Sequence, residues 1–163
     1  MKKILITGGS GFIGTNLIEH LLKKTDAELL TFDINEPKID SHNRFWKRVD
    51  IREYEELREK IVEYKPDIVI HLAARTDLRG LTLKDYDANM TGVSNLLKAI
   101  DEAGTVQKAV FASSMYVCEP GYMPKDFEDY APHTLYGESK VETERRITVS
   151  YTHLRAHETP EHL

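Results

Sequence analysis

The sequence predicts an α/β fold in which helices cover both faces of a doubly wound parallel sheet. Short apolar runs, such as Ile4-Leu5-Ile6 and Ile68-Val69-Ile70, alternate along the chain with longer segments of helical periodicity. Continuous apolar runs of this length are typical of parallel strands buried on both faces. A glycine-rich turn at residues 8–14 follows the first run. This order of strand, turn and helix predicts a ligand site at the carboxyl ends of the strands.

Composition limits the classes of function. A chain of 163 residues can bury the core of one domain. Its net charge of −5 lacks the basic footprint of nucleic-acid binding. The single cysteine, Cys118, excludes an internal disulfide, which is usual in a reducing compartment. No stretch reaches the ~20 apolar residues of a membrane span, and the first apolar run is too short for a signal peptide. We therefore predict a cytoplasmic protein with no nucleic-acid or membrane partner.

The first turn has glycine at every third position, namely Gly8, Gly11 and Gly14. Glycine lets the backbone approach a ligand closely and lets a helix pack tightly on a strand. The following helix, predicted over residues 12–24, would point its free N–H groups at the turn, which favours a pyrophosphate there. Its predicted inner stripe is Ile13, Leu17, Leu21 and Leu22. A purely structural turn is the alternative for this spacing.

The second predicted strand, residues 28–33, ends in Asp33. This position is close to the ~20-residue offset at which a ribose-binding acid follows a dinucleotide turn. A carboxylate there can accept both hydroxyls of an adenosine ribose and would repel a 2′-phosphate, so NAD is favoured over NADP. A helix-cap or turn aspartate is the alternative interpretation.

Further alternation of strands and helices completes the predicted sheet. After a loop at 34–44, the predicted elements are a strand at 45–49, a helix opened by a capping box at 50–53, a strand at 68–72, a helix at 84–102, a strand at 108–112 and a helix from about Leu135. Gly104 is the predicted C-cap of the helix at 84–102.

Tyr136 and Lys140 lie one helical turn apart, on the same face of the last predicted helix. A free tyrosine, with a pKa of about 10, is a poor base at neutral pH. A neighbouring ammonium favours the phenolate, which can then accept a proton from an alcohol whose carbon loses hydride. The pair is common on surface helices, but here it follows a dinucleotide-type turn and the strand-end pair Ser113-Ser114.

In these features the chain resembles the extended branch of the short-chain dehydrogenase/reductase superfamily, the NAD-dependent sugar-nucleotide epimerases and dehydratases. The matching segments are residues 7–14, Asp33, Asp50-Ile51, His71-Leu72-Ala73-Ala74, 89–92, Ser113-Ser114 and Tyr136-x-x-x-Lys140. The resemblance implies a Rossmann-like domain over residues 1–147, NAD as cofactor and a nucleotide sugar as substrate. It also implies a possible homodimer through the helices at 84–102 and 135–147.

The resemblance also implies a role for each matched residue. Gly8, Gly11, Phe12, Ile13 and Gly14 would hold the pyrophosphate, Asp33 the adenosine ribose, and Asp50 and Ile51 the adenine. Leu72, Ala73, Ala74, Asn89 and Ser113 would line or support the cofactor path. Ser114 would bind the reacting oxygen, Tyr136 would be the acid/base, and Lys140 would bind the nicotinamide ribose and tune Tyr136. A helix-start role for Asn89 and a backbone-contact role for Ser113 stay open.

Two departures from the family refine these expectations. Its dehydratases carry an acid after the catalytic serine or threonine, whereas Ser114 is followed by Met115-Tyr116-Val117-Cys118. We therefore expect epimerase- or reductase-type chemistry.

Residues 148–163 do not resemble the family, and we expect them to form a disordered or artefactual tail. The domain before this tail would be truncated before its substrate-binding part, so we expect little or no turnover from this chain alone. The tail histidines, His153, His157 and His162, lack an acidic partner pattern, so no metal site is predicted.

Two other functions stay open at this stage. The first is a non-catalytic NAD-binding or redox-sensing module of the same fold. Intact Ser114, Tyr136 and Lys140 argue against it, because a sensor needs no acid/base group. The second is a ketone or alcohol reductase, which only the substrate could separate from an epimerase.

Overall fold

The computed structural model describes residues 1–155, with side chains described for residues 1–150. Its centre is a five-stranded sheet in the order β3-β2-β1-β4-β5, in which every neighbouring pair is parallel. The elements are β1 Lys3–Thr7, α1 Phe12–Lys24, β2 Glu28–Asp33, β3 Trp46–Arg48, α2 Tyr54–Tyr64, β4 Ile68–His71, α3 Asp87–Ala103, β5 Lys108–Phe111 and α4 Leu135–Arg155. The strand order reverses between β1 and β4, which is where such sheets bind ligands.

Each face of the sheet has its own apolar core, as the prediction of a doubly wound sheet requires. On one face, Leu5, Phe32 and Val69 are fully buried in a cluster with residues of α2 and α3. On the other face, Ile4 and Ile6 pack with Ile18 of α1. Alternate residues of β1 therefore point into different cores, which explains why its sequence is apolar without interruption.

The ends of several elements follow from local signals. Both α1 and β2 have the predicted bounds. Gly104 ends α3 with φ +61° and donates its N–H to the carbonyl of Ile100, as a left-handed C-cap does.

The prediction of the buried stripe of α1 is wrong at both ends of the stripe. Ile13 and Leu22 are exposed, and Ile13, in the first turn of the helix, faces the cavity described below.

The capping box predicted at residues 50–53 does not form, and α2 begins only at Tyr54. The carboxylate of Asp50 instead accepts the backbone N–H of Arg52 and binds its guanidinium. A short aspartate side chain can close such a local turn in place of capping a helix. This local turn presents Asp50 and its neighbours to the ligand side of the sheet.

Two short 3-10 helices lie where the sequence predicts other structure. Leu83–Tyr86 precedes α3 and carries its own capping box between Thr82 and Asp85, so the helix predicted from residue 84 begins at Asp87. In the predicted loop, Asp40–Arg44 forms a 3-10 helix whose His42 is buried. Nε2 of His42 lies 2.8 Å from Oε1 of Glu19, which ties this segment to α1.

Helix α4 continues to Arg155 and crosses the domain boundary predicted at 147, which stays a prediction. The rest of the predicted tail, with His157 and His162, lies outside the described residues, as does the side chain of His153. Over residues 1–155, no helix is long and apolar enough to cross a membrane. Within the same range, no three His, Cys, Asp or Glu residues cluster as metal ligands would.

Candidate functional site

A cavity of about 920 Å³ opens at the carboxyl ends of the strands. Except for Asn89 and Ser114, the predicted site residues all line it: Gly8, Gly11, Phe12, Ile13, Gly14, Asp33, Asp50, Ile51, Leu72, Ala73, Ala74, Ser113, Tyr136 and Lys140. They come from the ends of β1, β2, β4 and β5, from the segment after β3, and from α1 and α4. The sheet therefore brings into one cavity residues that are far apart in sequence.

The glycine turn is shaped by close backbone contacts. Gly8 has φ +77°, and a Cβ there would lie 2.6 Å from the backbone nitrogen of Ala73. Its carbonyl accepts the N–H of Gly11 at 3.2 Å. A Cβ at Gly14 would clash with the carbonyl oxygen of Gly8, so glycine at this position lets the first turn of α1 pack directly on the glycine turn. The free N–H groups of α1 thus open on the cavity, where they suit a pyrophosphate.

Asp33 joins β2 to this turn. Its Oδ2 accepts the backbone N–H of Ser10 at 3.0 Å, and its Oδ1 accepts the backbone N–H of Asn35 at 2.9 Å. The carboxylate is therefore fixed beside the glycine turn while it also lines the cavity. A carboxylate in this place fits a ribose with two free hydroxyls and disfavours a phosphorylated one.

The segment after β3 forms another part of the wall. Hydrogen bonding from Arg52 holds the pKa of the Asp50 carboxyl below its usual value. Ile51 is buried and packs onto Gly92 of α3, where a Cβ would lie 2.5 Å from Cδ1 of Ile51. Gly92 therefore lets α3 approach this wall closely.

Tyr136 and Lys140 form the wall supplied by α4, and both are buried. Nζ of Lys140 donates to the carbonyl of Ala112 at 2.8 Å, just after β5. Burial lowers the pKa of Lys140, and Glu144 on the same helix opposes this effect. Tyr116 lies edge-on to the ring of Tyr136, with ring centroids 5.7 Å apart. The arrangement places a phenol and an ammonium on the same side of the cavity.

Of the two strand-end serines, Ser113 lines the cavity and Ser114 does not. Ser113 donates its hydroxyl to Glu144. Ser114 caps the short 3-10 helix Met115–Val117, where its Oγ accepts the N–H of Tyr116 at 3.2 Å. The role predicted for Ser114 therefore stays a prediction.

Asn89 lies behind the cavity wall, and its side chain joins two segments of the chain. Its Oδ1 accepts the backbone N–H of Arg75 at 2.8 Å, and its Nδ2 donates to the carbonyl of Arg75 at 3.0 Å. Nδ2 also donates to Oγ of Ser139 on α4 at 2.9 Å. Asn89 thus holds the loop after β4 against α4, and it supports the cavity through Arg75.

We expect Asn89→Leu to lower the free energy of unfolding by about 3 kcal/mol, because it leaves buried partners on Arg75 and Ser139 unpaired. Chemical denaturation measures this loss. Asn16→Leu is the control, since Asn16 is exposed and donates to the carbonyl of Phe12 in its own helix. Equal stability changes in the two variants would contradict the bracing role of Asn89.

His71 lines the cavity, although the sequence predicts no role for it. It is buried at the end of β4, and its Nδ1 lies 2.6 Å from Oγ1 of Thr7. Burial and the charge of Lys140 lower the pKa of His71 to about 3, so the imidazole is neutral at physiological pH. Arg75 is a second such residue, held by Asp77 and by the carbonyl of Asp85. The signal that could have found both is their position, with His71 at the end of a buried strand and Arg75 shortly after it.

Comparison with known proteins agrees with this geometry. The model of the NAD dependent epimerase/dehydratase family matches residues 4–154. A UDP-glucose 4-epimerase from Neisseria meningitidis serogroup C is 34% identical over 163 aligned residues, which cover 91% of this chain and 48% of the relative. The chain spans about half the length of the curated relatives it matches.

Solved structures share the fold. The UDP-glucose 4-epimerase of Thermus thermophilus, in complex with NAD, superposes with a TM-score of 0.77 at 28% identity, over 93% of this chain and 51% of that one. A monomeric L-threonine 3-dehydrogenase from a metagenome database superposes with a TM-score of 0.79 at 30% identity, over 92% of this chain and 49% of that one. With its parallel sheet, glycine turn and strand-end cavity, this chain belongs to the NAD-dependent epimerase/dehydratase family.

Proposed function

We propose that this chain is the NAD-binding and acid/base part of an epimerase-type oxidoreductase that acts on a nucleotide sugar. One observation carries the proposal: Tyr136 and Lys140 line the same cavity as the glycine turn and Asp33. A dinucleotide held at the turn and at Asp33 would extend through this cavity toward the phenol and the ammonium. The family match and an NAD-bound neighbour support the choice of cofactor.

The residues present fit NAD. The cradle at Gly8 and Gly14 leaves no space for a side chain, and the first turn of α1 offers backbone N–H groups to the pyrophosphate. Asp33 would bind the adenosine ribose, with Asp50 and Ile51 beside the adenine. Lys140 would bind the second ribose. When bound, NAD supplies the acceptor for a hydride that leaves a sugar carbon.

Tyr136 would move the proton in this chemistry. Its phenol oxygen, once deprotonated, would accept the proton of a sugar hydroxyl as the carbon is oxidised, with the ammonium of Lys140 one helical turn away. The same phenol returns the proton when the keto sugar is reduced. Ser114 lies outside the cavity lining, and its proposed hydrogen bond to the reacting oxygen rests on the family resemblance; its Oγ accepts the N–H of Tyr116 and retains its own proton for donation.

Epimerisation is favoured over dehydration by the residues after Ser114. Removal of a hydroxyl as water needs an acid, and Met115-Tyr116-Val117-Cys118 carries no carboxylate. Curated relatives named UDP-glucose 4-epimerase support a UDP-hexose as the substrate class.

A second candidate function is the simple oxidation of an alcohol or reduction of a ketone, which the likeness to an L-threonine 3-dehydrogenase supports. A net accumulation of NADH when substrate is added would distinguish this dehydrogenase-type reaction from epimerisation, because epimerisation regenerates NAD.

The first test is thermal unfolding of the chain with NAD and with NADP. Ligand at ~100-fold its Kd adds about 2.7 kcal/mol to the native state. We expect NAD to raise Tm and NADP to have little effect, and Asp33→Asn to lose most of this preference. Asp40→Asn, an exposed aspartate on the nearby 3-10 helix, is the matched control. A cooperative melt that neither nucleotide shifts would contradict the proposed cofactor.

A further inference from the structure

Glu144 lies one helical turn beyond Lys140 on α4, and two hydroxyl groups from outside the helix hold its carboxylate. Ser113, two residues after the end of β5, donates to Oε1. Tyr130 donates to Oε2 at 2.8 Å. Burial and Glu144 raise the pKa of Tyr130 to about 12, so Tyr130 keeps the proton that it donates.

The charge that this carboxylate acts on is the ammonium of Lys140. The residue is only 4% exposed, and its Nζ donates to the carbonyl of Ala112. Burying an ammonium is costly unless an opposite charge and hydrogen bonds compensate. In the described part of the chain, Lys140 interacts electrostatically with His71 on β4, which is neutral, and with Glu144, and Tyr136 lies one helical turn before it on α4. Glu144 is therefore the anion that offsets the burial of Lys140.

The same two α4 residues are tied to consecutive positions after β5. Lys140 contacts the carbonyl of Ala112, and Glu144 accepts the hydroxyl of Ser113. These two contacts fix the rotation of α4 relative to the strand end. They therefore fix the side of the cavity on which the ammonium lies.

From these contacts we propose that Glu144 is a positioning residue that keeps Lys140 charged and holds its ammonium beside Tyr136. The functional meaning of this coupling rests on the proposed function, in which Lys140 binds the second ribose and Tyr136 transfers the proton. The coupling itself is a property of the folded chain and needs neither cofactor nor turnover. A purely mechanical role, in which Glu144 only ties α4 to the end of β5, is the competing explanation.

Glu144→Gln separates the two explanations, because glutamine keeps the length and one acceptor oxygen but removes the charge. The measurement is the pH titration of the Lys140 side chain by NMR of lysine labelled with ¹³C at Cε, with the signal assigned through Lys140→Arg. We expect the fraction of free amine of Lys140 at pH 8 to rise roughly threefold or more in Glu144→Gln. Glu142→Gln is the matched control, since Glu142 lies two residues earlier and pairs with Arg145 on the exposed side of α4.

An unchanged titration of Lys140 in a folded Glu144→Gln chain would overturn the proposal and leave the mechanical tie. Should that variant not fold, Tyr130→Phe removes one of the two ties and retains the charge. The proposal then requires the titration of Lys140 to stay as in the parent chain, and a rise in free amine would overturn it. Failure of NAD to shift the melt would contradict the proposed function without affecting either titration, so the two ideas fail separately.

Discussion

Tyr136→Phe is expected to lower the rate of sugar oxidation roughly 10²- to 10⁴-fold while NAD binding is retained, because the change removes the only atom that transfers the proton in the proposed reaction. The ring itself stays, so its contacts with Tyr86 and Tyr116 are kept. The assay follows epimerisation of UDP-glucose in a form of the protein that turns over. Thermal shifts with NAD report cofactor binding in the same samples.

Tyr116→Phe is the control for this variant. This variant also loses one hydroxyl. The ring of Tyr116 lies against that of Tyr136, but Tyr116 does not line the cavity. We expect its turnover to stay within about twofold of the parent value, because the phenol that transfers the proton is unchanged. Full activity in Tyr136→Phe would remove the phenol from the mechanism and favour an acid/base group elsewhere.

Gly8→Ala is expected to destabilise the chain by at least about 3 kcal/mol and to abolish NAD binding. A left-handed backbone costs a non-glycine residue roughly 1–2 kcal/mol. At Gly8 the new Cβ would also press on the backbone of Leu72 and Ala73, which cannot turn aside as a side chain can. For a chain of this size, a loss of about 3 kcal/mol corresponds to a fall in Tm of roughly 6–12 °C.

Gly121→Ala isolates the first of these effects, the cost of the left-handed backbone. Gly121 has φ +86°, and nothing lies within 4 Å of a Cβ built there. It therefore carries the cost of the backbone conformation without the clash, and we expect a loss of about 1 kcal/mol and unchanged NAD binding. If Gly8→Ala and Gly121→Ala lowered Tm equally, the close approach of the turn to Ala73 would have no energetic importance.

Local signals explain how much of this fold can be predicted from the sequence. The bounds of α1 and β2 follow from apolar periodicity and from the turn residues that flank them, and these signals need no partner. Asp50 shows where local reasoning fails, because a capping box and an aspartate turn use the same short side chain. The turn forms here because Arg52 lies two residues away and also binds the carboxylate with its guanidinium.

The contacts that support the cavity are long-range, and no local pattern reports them. Asn89 and Ser139 are 50 positions apart, and Ser113 and Glu144 are 31 apart. Their pairing depends on how α3, α4 and the end of β5 pack together. The family resemblance supplied residues for the cavity wall, whereas the residues that hold this wall in place emerge only from the fold.

The edge position of β5 has a consequence for behaviour in solution. In the described part of the chain, β5 pairs with β4 alone, and Lys108, Ala109 and Val110 are exposed. An open edge with unpaired N–H and C=O groups is a template for a further strand, and exposed apolar side chains beside it strengthen that tendency. Lys108 is the one charge in this strand that opposes such pairing. Concentrated samples are therefore prone to aggregate by intermolecular strand addition at β5, and the colloidal stability of the chain depends on what covers this edge.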